Sequence, residues 1–323
     1  MEKVVNWLSE GPEWIRFRVM TQLAGKSAES PEAMDYFNRL GNDPQIKLIL
    51  AELKSWPGDI LKSHNDAKHP IHKLAFLADI GLDAKNSDIA AIISGVLSHK
   101  APEGPFQIMV NIPKSFGGSG TEQWSWMLCD APLVLYSLVK FGLGSNPEVL
   151  TAVDYLAGLI RDNGWPCTVS PDLGKFRGPG RKTDLCPYAT LLMLKLLAQL
   201  PEYHNTPACK MGAEAILTLW EKRRESRPYL FAMGTGFSKL KGPLIWYDTL
   251  HVLDVLSRFE WLQGDSRLHE IAQMVNSKKD ADGFFTAESV WKAWADWEFG
   301  QKKSPSRWIT LIAYGSLYRL HML

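Results

Sequence analysis

The chain has 323 residues, 46% of them hydrophobic and 22% charged, the proportions of a globular protein with a sizeable core. Thirty-six basic against 35 acidic side chains leave a net charge of +1, so no basic field or tail recruits nucleic acid, and disorder and collagen-like repeats are excluded. No apolar run approaches the roughly 20 residues that span a bilayer, and the N-terminus lacks the apolar core of an export signal, so no transmembrane segment and a cytoplasmic location are expected.

In chain order, a short segment, 2–9, precedes the first of six self-similar stretches. These begin at Arg16, Lys73, Pro132, Thr190, Thr249 and Thr310, at intervals of 57, 59, 58, 59 and 61 residues. Each carries apolar residues at its second, fifth and eighth positions, as in Leu191, Leu194 and Leu197 or Leu311, Tyr314 and Leu317. That spacing is one stripe of a helix. Partner helices are predicted between them, over about 31–53, 86–98, 146–161, 206–223 and 266–277. Ser30-Pro31, Asn146-Pro147 and Thr206-Pro207 open three of these, as helix starts prefer. Turns ending in glycine and an aromatic follow two of them, at Asp162-Asn163-Gly164-Trp165 and Asp280-Ala281-Asp282-Gly283-Phe284. Clear strand signals and a Gly-rich phosphate loop are absent.

The expected fold is therefore all-α and a single domain over 1–323, with six helical hairpins of about 58 residues closed into an (α/α)6 toroid. The last copy is as apolar as the middle ones and has no outer partner after it. Segment 2–9 is expected to supply that partner and close the ring.

Three groups of residues carry candidate chemistry. Asp184, Cys186 and His251 offer a carboxylate, a thiol and an imidazole, the donor types that hold catalytic Zn²⁺ with one position open. His251 stands where the other copies have Arg18, Ala75, Val134, Leu192 and Ile312. The same residues also read as core and cap: a buried thiol, a histidine bonded to a carbonyl, and an N-cap aspartate. Ahead of Asp184, the stretch Lys175-Phe176-Arg177-Gly178-Pro179-Gly180-Arg181-Lys182 places four cations before a helix start, which suits a diphosphate or a solvated turn. Thirteen tryptophans are many, and Trp124, Trp126, Trp165, Trp246 and Trp308 fall near the starts of the repeated helices, while Trp291, Trp294 and Trp297 recur three apart. Aromatic walls bury polyprenyl chains, face cations and stack on sugars, or simply plug the ends of a helical fold. The four cysteines, Cys129, Cys167, Cys186 and Cys209, have no paired spacing and are expected as free thiols.

With the repeat, Asp162-Asn163-Gly164-Trp165, Asp184-Leu185-Cys186-Pro187-Tyr188 and Tyr247-Asp248-Thr249-Leu250-His251, the sequence resembles the α/α-toroid superfamily of squalene-type cyclases and protein prenyltransferase catalytic subunits. It is most similar to a bacterial branch of that superfamily that carries no assigned activity. The resemblance covers most of 70–320 in architecture and about 175–251 in site motifs. It implies Zn²⁺ on Asp184, Cys186 and His251, a diphosphate held by Arg177, Arg181 and Lys182, and a substrate cavity lined by Tyr188, Asp248 and the tryptophans named above. The resemblance leaves the need for a second subunit open. The cyclases' Asp-x-Asp-Asp acid is missing, since no two aspartates adjoin anywhere, and so is the Asp-Asp-x-x-Asp signature of diphosphate ionisation. The expected function is an enzyme of isoprenoid or other apolar-substrate chemistry. The alternatives are a binding toroid for a lipid, peptide or glycan without turnover, and a carbohydrate-active enzyme using acids such as Glu122, Asp130 or Asp248.

Overall fold

The structure, a computed structural model, describes residues 1–61, 63–64, 66–174, 176, 181–225 and 233–323. Its helices are α1 (Glu2–Ser9), α2 (Glu13–Gln22), α3 (Pro31–Leu40), α4 (Pro44–Leu53), α5 (Pro70–Ile80), α6 (Ser87–Leu97), α7 (Ala131–Leu138), α8 (Pro147–Ala157), α9 (Pro187–Leu197), α10 (Pro207–Glu221), α11 (Thr235–Ser238), α12 (Thr249–Leu256), α13 (Ser266–Asn276) and α14 (Arg307–Arg319). Before α7 lies a short antiparallel pair, β1 (Ile108–Val110) and β2 (Gln123–Ser125), with Met109 opposite Trp124. These three-residue strands are too short to leave an alternating signature, which is why the sequence pattern shows no strand.

A helix covers each of the six self-similar stretches, namely α2, α5, α7, α9, α12 and α14. Every residue of α9, from Pro187 to Leu197, is buried, and so is every residue of α7 and of α12. The expected stripe is therefore only part of their apolar surface, because a helix enclosed by neighbours is buried all round. The intervening helices instead bury a single face: Ile89, Ile92, Ile93 and Val96 on α6, Val149, Ala152, Val153 and Leu156 on α8, and Leu268, Ile271, Ala272 and Val275 on α13. Asn86, Asn146, Thr206 and Asp265 cap the starts of α6, α8, α10 and α13 through side-chain oxygens. The span predicted as one helix over 31–53 is two, α3 and α4. Gly41-Asn42-Asp43-Pro44 interrupts it, and Asp43 Oδ1 accepts the amides of Gln45 (2.8 Å) and Ile46 (3.2 Å) to restart the chain.

The chain forms two compact units. The first comprises Met1–Lys47, Ile80–Leu82 and Met233–Leu323, the second Leu48–Asp79 and Asp83–Ala232. In the first unit α12 packs on α13 and α14, α14 packs on α2, and α2 packs on α1 and α3. The N-terminal helix also reaches the C-terminal residues there. Arg307 Nε donates to the Trp7 carbonyl at 3.1 Å, and the Trp7 ring stacks on Phe284 with centroids 4.1 Å apart. Trp14, Trp294, Trp297, Phe299 and Trp308 make an aromatic cluster in this unit, with Trp14 edge-on to Trp308 at 5.4 Å. In the second unit α7 packs on α8 and α9, and α9 on α10.

The glycine-aromatic turns recur with one hydrogen-bond pattern. In the second unit the Trp165 amide donates to Thr190 Oγ1 (3.1 Å), and the Cys186 amide donates to the Trp165 carbonyl (2.7 Å). In the first unit the Phe285 amide donates to Thr310 Oγ1 (3.0 Å), and the Ser306 amide to the Phe285 carbonyl (2.8 Å). Each turn thus pins its aromatic to the first turn of the next repeated helix. Gly164 makes the turn possible at φ +110°, where a Cβ would meet Ala215 Cβ at 3.1 Å and Thr190 Oγ1 at 3.2 Å.

Candidate functional site

The residues just ahead of the repeated helices are the chemically distinctive ones: Asp130 before α7, Cys186 before α9, Asp248 before α12 and Ser306 before α14. In the second unit Asp130 has no exposed surface. Its Oδ1 accepts the Met127 amide at 2.9 Å, and its Oδ2 lies 3.3 Å from His64 Nε2. Burial pushes the Asp130 carboxyl above its ordinary range, against the opposing pull of His64 and two backbone amides. His64 is held from below. His72 Nε2 donates to the His64 carbonyl at 2.9 Å, and His69 Nε2 donates to the Asp59 carbonyl at 2.9 Å while its Nδ1 accepts the Ile71 amide. Burial pushes His69 down to about 4 and His72 to about 3, so both are neutral at physiological pH.

Beside Asp130 in the chain, Cys129 Sγ stands 3.9 Å from Cys186 Sγ. Hydrogen bonds with Cys167 and Cys186, together with burial, push the Cys129 thiol well up, so it stays protonated. Further along α5, α7 and α9 lies a buried ion pair. Lys195 Nζ is 3.2 Å from Asp79 Oδ2 and 4.7 Å from the Tyr136 ring centroid, and the Tyr136 hydroxyl donates to Asp79 Oδ1 at 2.5 Å.

The expected site residues have individual places. Asp184 Oδ2 accepts the Arg181 amide at 3.0 Å, and Cys186 Sγ accepts the Ala189 amide at 3.5 Å as the cap of α9. His251 belongs to the first unit, where its ring Nδ1 bonds the Trp246 carbonyl at 2.9 Å and its amide donates to Asp248 Oδ1 at 3.0 Å. Among the described residues, no group of three or more His, Cys, Asp and Glu side chains is placed to hold a metal ion. Arg181 and Lys182 are exposed, and the Lys182 carbonyl accepts Arg161. Lys175, Arg177, Gly178, Pro179 and Gly180 lie outside the described residues.

Among the aromatics, Trp165 is fully buried and donates from Nε1 to the Leu156 carbonyl (2.9 Å), while Trp126 is fully buried and donates to Glu103 Oε1 (2.6 Å). Tyr188 and Trp308 are also buried, Trp246 is half-buried, and Trp124 stacks on His99 with centroids 3.4 Å apart. Asp248 is buried with Oδ2 4.0 Å from Lys241 Nζ, and burial lifts it to about 6. Lys241 also faces the Trp291 ring at 4.6 Å.

Sequence reasoning missed the histidine segment. His64, His69 and His72 are three of only eight histidines in the chain, packed into nine residues, and that density is the signal that could have found them.

No protein-family description and no curated protein sequence matches the chain. Among solved structures it is similar to the type II terpene cyclase MstE from Scytonema in its apo form, with 14% identity, TM-score 0.43 and coverage of 96% of this chain and 88% of that one. A variant of the same cyclase in complex with geranylgeranyl dihydroxybenzoate gives 14% identity and TM-score 0.42 over the same shares. A protein from Actinoplanes matches with 16% identity and TM-score 0.42, covering 96% of this chain and 89% of that one.

Proposed function

We propose that the chain is a toroidal enzyme of isoprenoid or other apolar-substrate chemistry in which Asp130, paired with His64, is the proton donor. The single observation that carries this reading is a carboxyl without solvent exposure, raised by burial, with an imidazole 3.3 Å away. Burial favours the protonated form of this carboxyl, which can protonate a weak base such as an alkene, and a positioned acid of this kind contributes about 10²–10⁴ in rate. Oδ1 is oriented by the Met127 amide. Oδ2 delivers the proton, and His64, part-exposed with 19% of its side chain open, returns one from solvent. The neutral Cys129 thiol beside the acid adds no anion to compete for that proton. The sequence resemblance to terpenoid cyclases and prenyltransferases supports the substrate class, with one isolated aspartate in place of the Asp-x-Asp-Asp motif.

The test is incubation of the full chain in D2O with neutral polyprenyl substrates and polyprenyl diphosphates, followed by mass spectrometry. Proton-initiated cyclisation makes products isomeric with the substrate that carry one solvent deuterium, and Asp130→Asn removes them. Deuterium-free condensation products would overturn the role of Asp130 as proton donor. Turnover of oligosaccharides alone would overturn the substrate class.

A further inference from the structure

We propose that Cys129 and Cys186, in the second unit, are an oxidation site at which hydrogen peroxide closes a disulfide. The assignment is independent of the activity proposed above. The two sulfurs lie 3.9 Å apart although 57 residues separate them in the chain. A disulfide needs about 2.05 Å between sulfurs, a difference within the swing of two short side chains about their first torsions.

The backbone explains why these two meet. Segment 165–170 is hydrogen-bonded on both of its sides. On one side the Leu128 amide donates to the Thr168 carbonyl at 2.9 Å and the Ser170 amide to the Trp126 carbonyl at 2.9 Å, with Met127 opposite Val169. On the other the Cys186 amide donates to the Trp165 carbonyl at 2.7 Å, with Pro166 opposite Leu185. Cys129 and Cys186 leave these two bridges just ahead of α7 and α9, which pack on each other. Cys167 lies on the middle segment between the bridges and is the competing partner for either thiol.

The two thiols have different surroundings. Hydrogen bonding and burial hold the Cys129 thiol protonated, whereas Cys186 Sγ accepts the Ala189 amide at the start of α9 at 3.5 Å. Peroxide reacts with the thiolate, so Cys186 attacks first. Its sulfur takes one peroxide oxygen as the O–O bond breaks, and the departing hydroxide leaves as water with the Cys186 proton. The product is a Cys186 sulfenic acid. The Cys129 sulfur then attacks that of Cys186. The S–S bond forms, the S–O bond breaks, and the hydroxyl leaves as a second water with the Cys129 proton. Two electrons pass from the sulfurs to one peroxide. Cys129 is half-buried, so the pair is not sealed from a solute of this size, while Cys186 and Cys209 are buried.

The experiment treats the reduced, folded full chain with hydrogen peroxide, alkylates the remaining thiols, digests with trypsin without reductant and maps the peptides by mass spectrometry. The peptides 115–140, 162–175, 183–195 and 196–210 carry one cysteine each, so every pairing is distinguishable. A cross-link between 115–140 and 183–195, two hydrogens lighter than the separate peptides and cleaved by dithiothreitol, is expected. Cys167→Ser should keep that cross-link. Cys129→Ser should abolish it and leave a Cys186 sulfenic acid that dimedone traps. Joining of 115–140 to 162–175 instead, four alkylated cysteines, sulfinic acid on Cys186 without a cross-link, or a cross-link formed only in urea would each overturn the proposal. Should Cys129→Ser fail to fold, the wild-type map decides by itself.

Discussion

His64 Nε2 lies 3.3 Å from Asp130 Oδ2 across 66 residues of chain. The Met127 and Ala131 amides and the imidazole on Oδ2 oppose burial without overcoming it, so the carboxyl stays raised. Asp130→Asn keeps the shape and removes the proton. It is expected to lower turnover of a prenyl substrate by about 10²–10⁴ while leaving the circular dichroism spectrum unchanged. His64→Gln should be milder and, because the imidazole pulls the carboxyl down, should move the loss of rate to higher pH. Equal rates for wild type and Asp130→Asn would exclude the carboxyl as the acid.

Stability should respond to pH from two directions. Asp248 holds its proton to about pH 6 in the native state, whereas the unfolded chain releases it near 3.8. The native state binds more protons in that window, so this contribution is complete below about 4 and is lost as pH rises through 6, by roughly 3 kcal/mol at most. His69 and His72 act oppositely. Their native values of about 4 and 3 lie below 6.5, so their contribution is complete above that value and is lost as pH falls toward 3–4. Urea titrations between pH 4 and 7.5 should show Asp248→Asn gaining on wild type as pH rises. His72→Gln should gain on it as pH falls.

The Asp79–Lys195 pair is buried, with Lys195 only 2% exposed. Removing one partner leaves a charge without its counterion, so Lys195→Met is expected to cost about 3–5 kcal/mol. The double variant Lys195→Met with Asp79→Asn should recover much of that loss. A double variant as unstable as the single would mean that packing against Tyr136, rather than charge, sets the cost.

Thr190→Val and Thr310→Val remove equivalent acceptors from the buried amides of Trp165 and Phe285. Each should cost about 1–3 kcal/mol, the penalty for an unpaired buried donor. Gly212→Ala tests the same turn from outside, because its Cβ would fall 2.4 Å from Trp165 Cζ3; overpacking of this kind costs about 1–3 kcal/mol. Wild-type denaturation midpoints in either threonine variant would show that the turn amides find other partners.

Helix positions were legible in the sequence because they rest on local rules. Apolar residues spaced for one helical face, Asn or Thr before Pro or an acidic residue, and glycine before an aromatic each act within a few residues. α6, α8, α10 and α13 accordingly begin within a residue or two of where those signals place them. The break between α3 and α4 was also written there, in Gly41-Asn42-Asp43-Pro44. It was missed because apolar residues continue on both sides of it.

Side-chain partnerships were not legible. Asp130 reads in the sequence as a candidate acid beside Glu122 and Asp248, and only burial, the Met127 amide and His64 make it chemically distinct. Cys186 stands out in the sequence beside Asp184, yet the structure brings to within 3.9 Å of its sulfur that of Cys129, 57 residues earlier. Asp254 and Arg258 stand at the i,i+4 spacing of one helix, but no spacing rule brings Arg319 to them. Periodicity and capping are properties of neighbouring residues and are set by the sequence itself. The desolvation that raises Asp130, silences His72 and crowds Arg319 is a property of atoms distant in the chain, so only the tertiary structure could decide it.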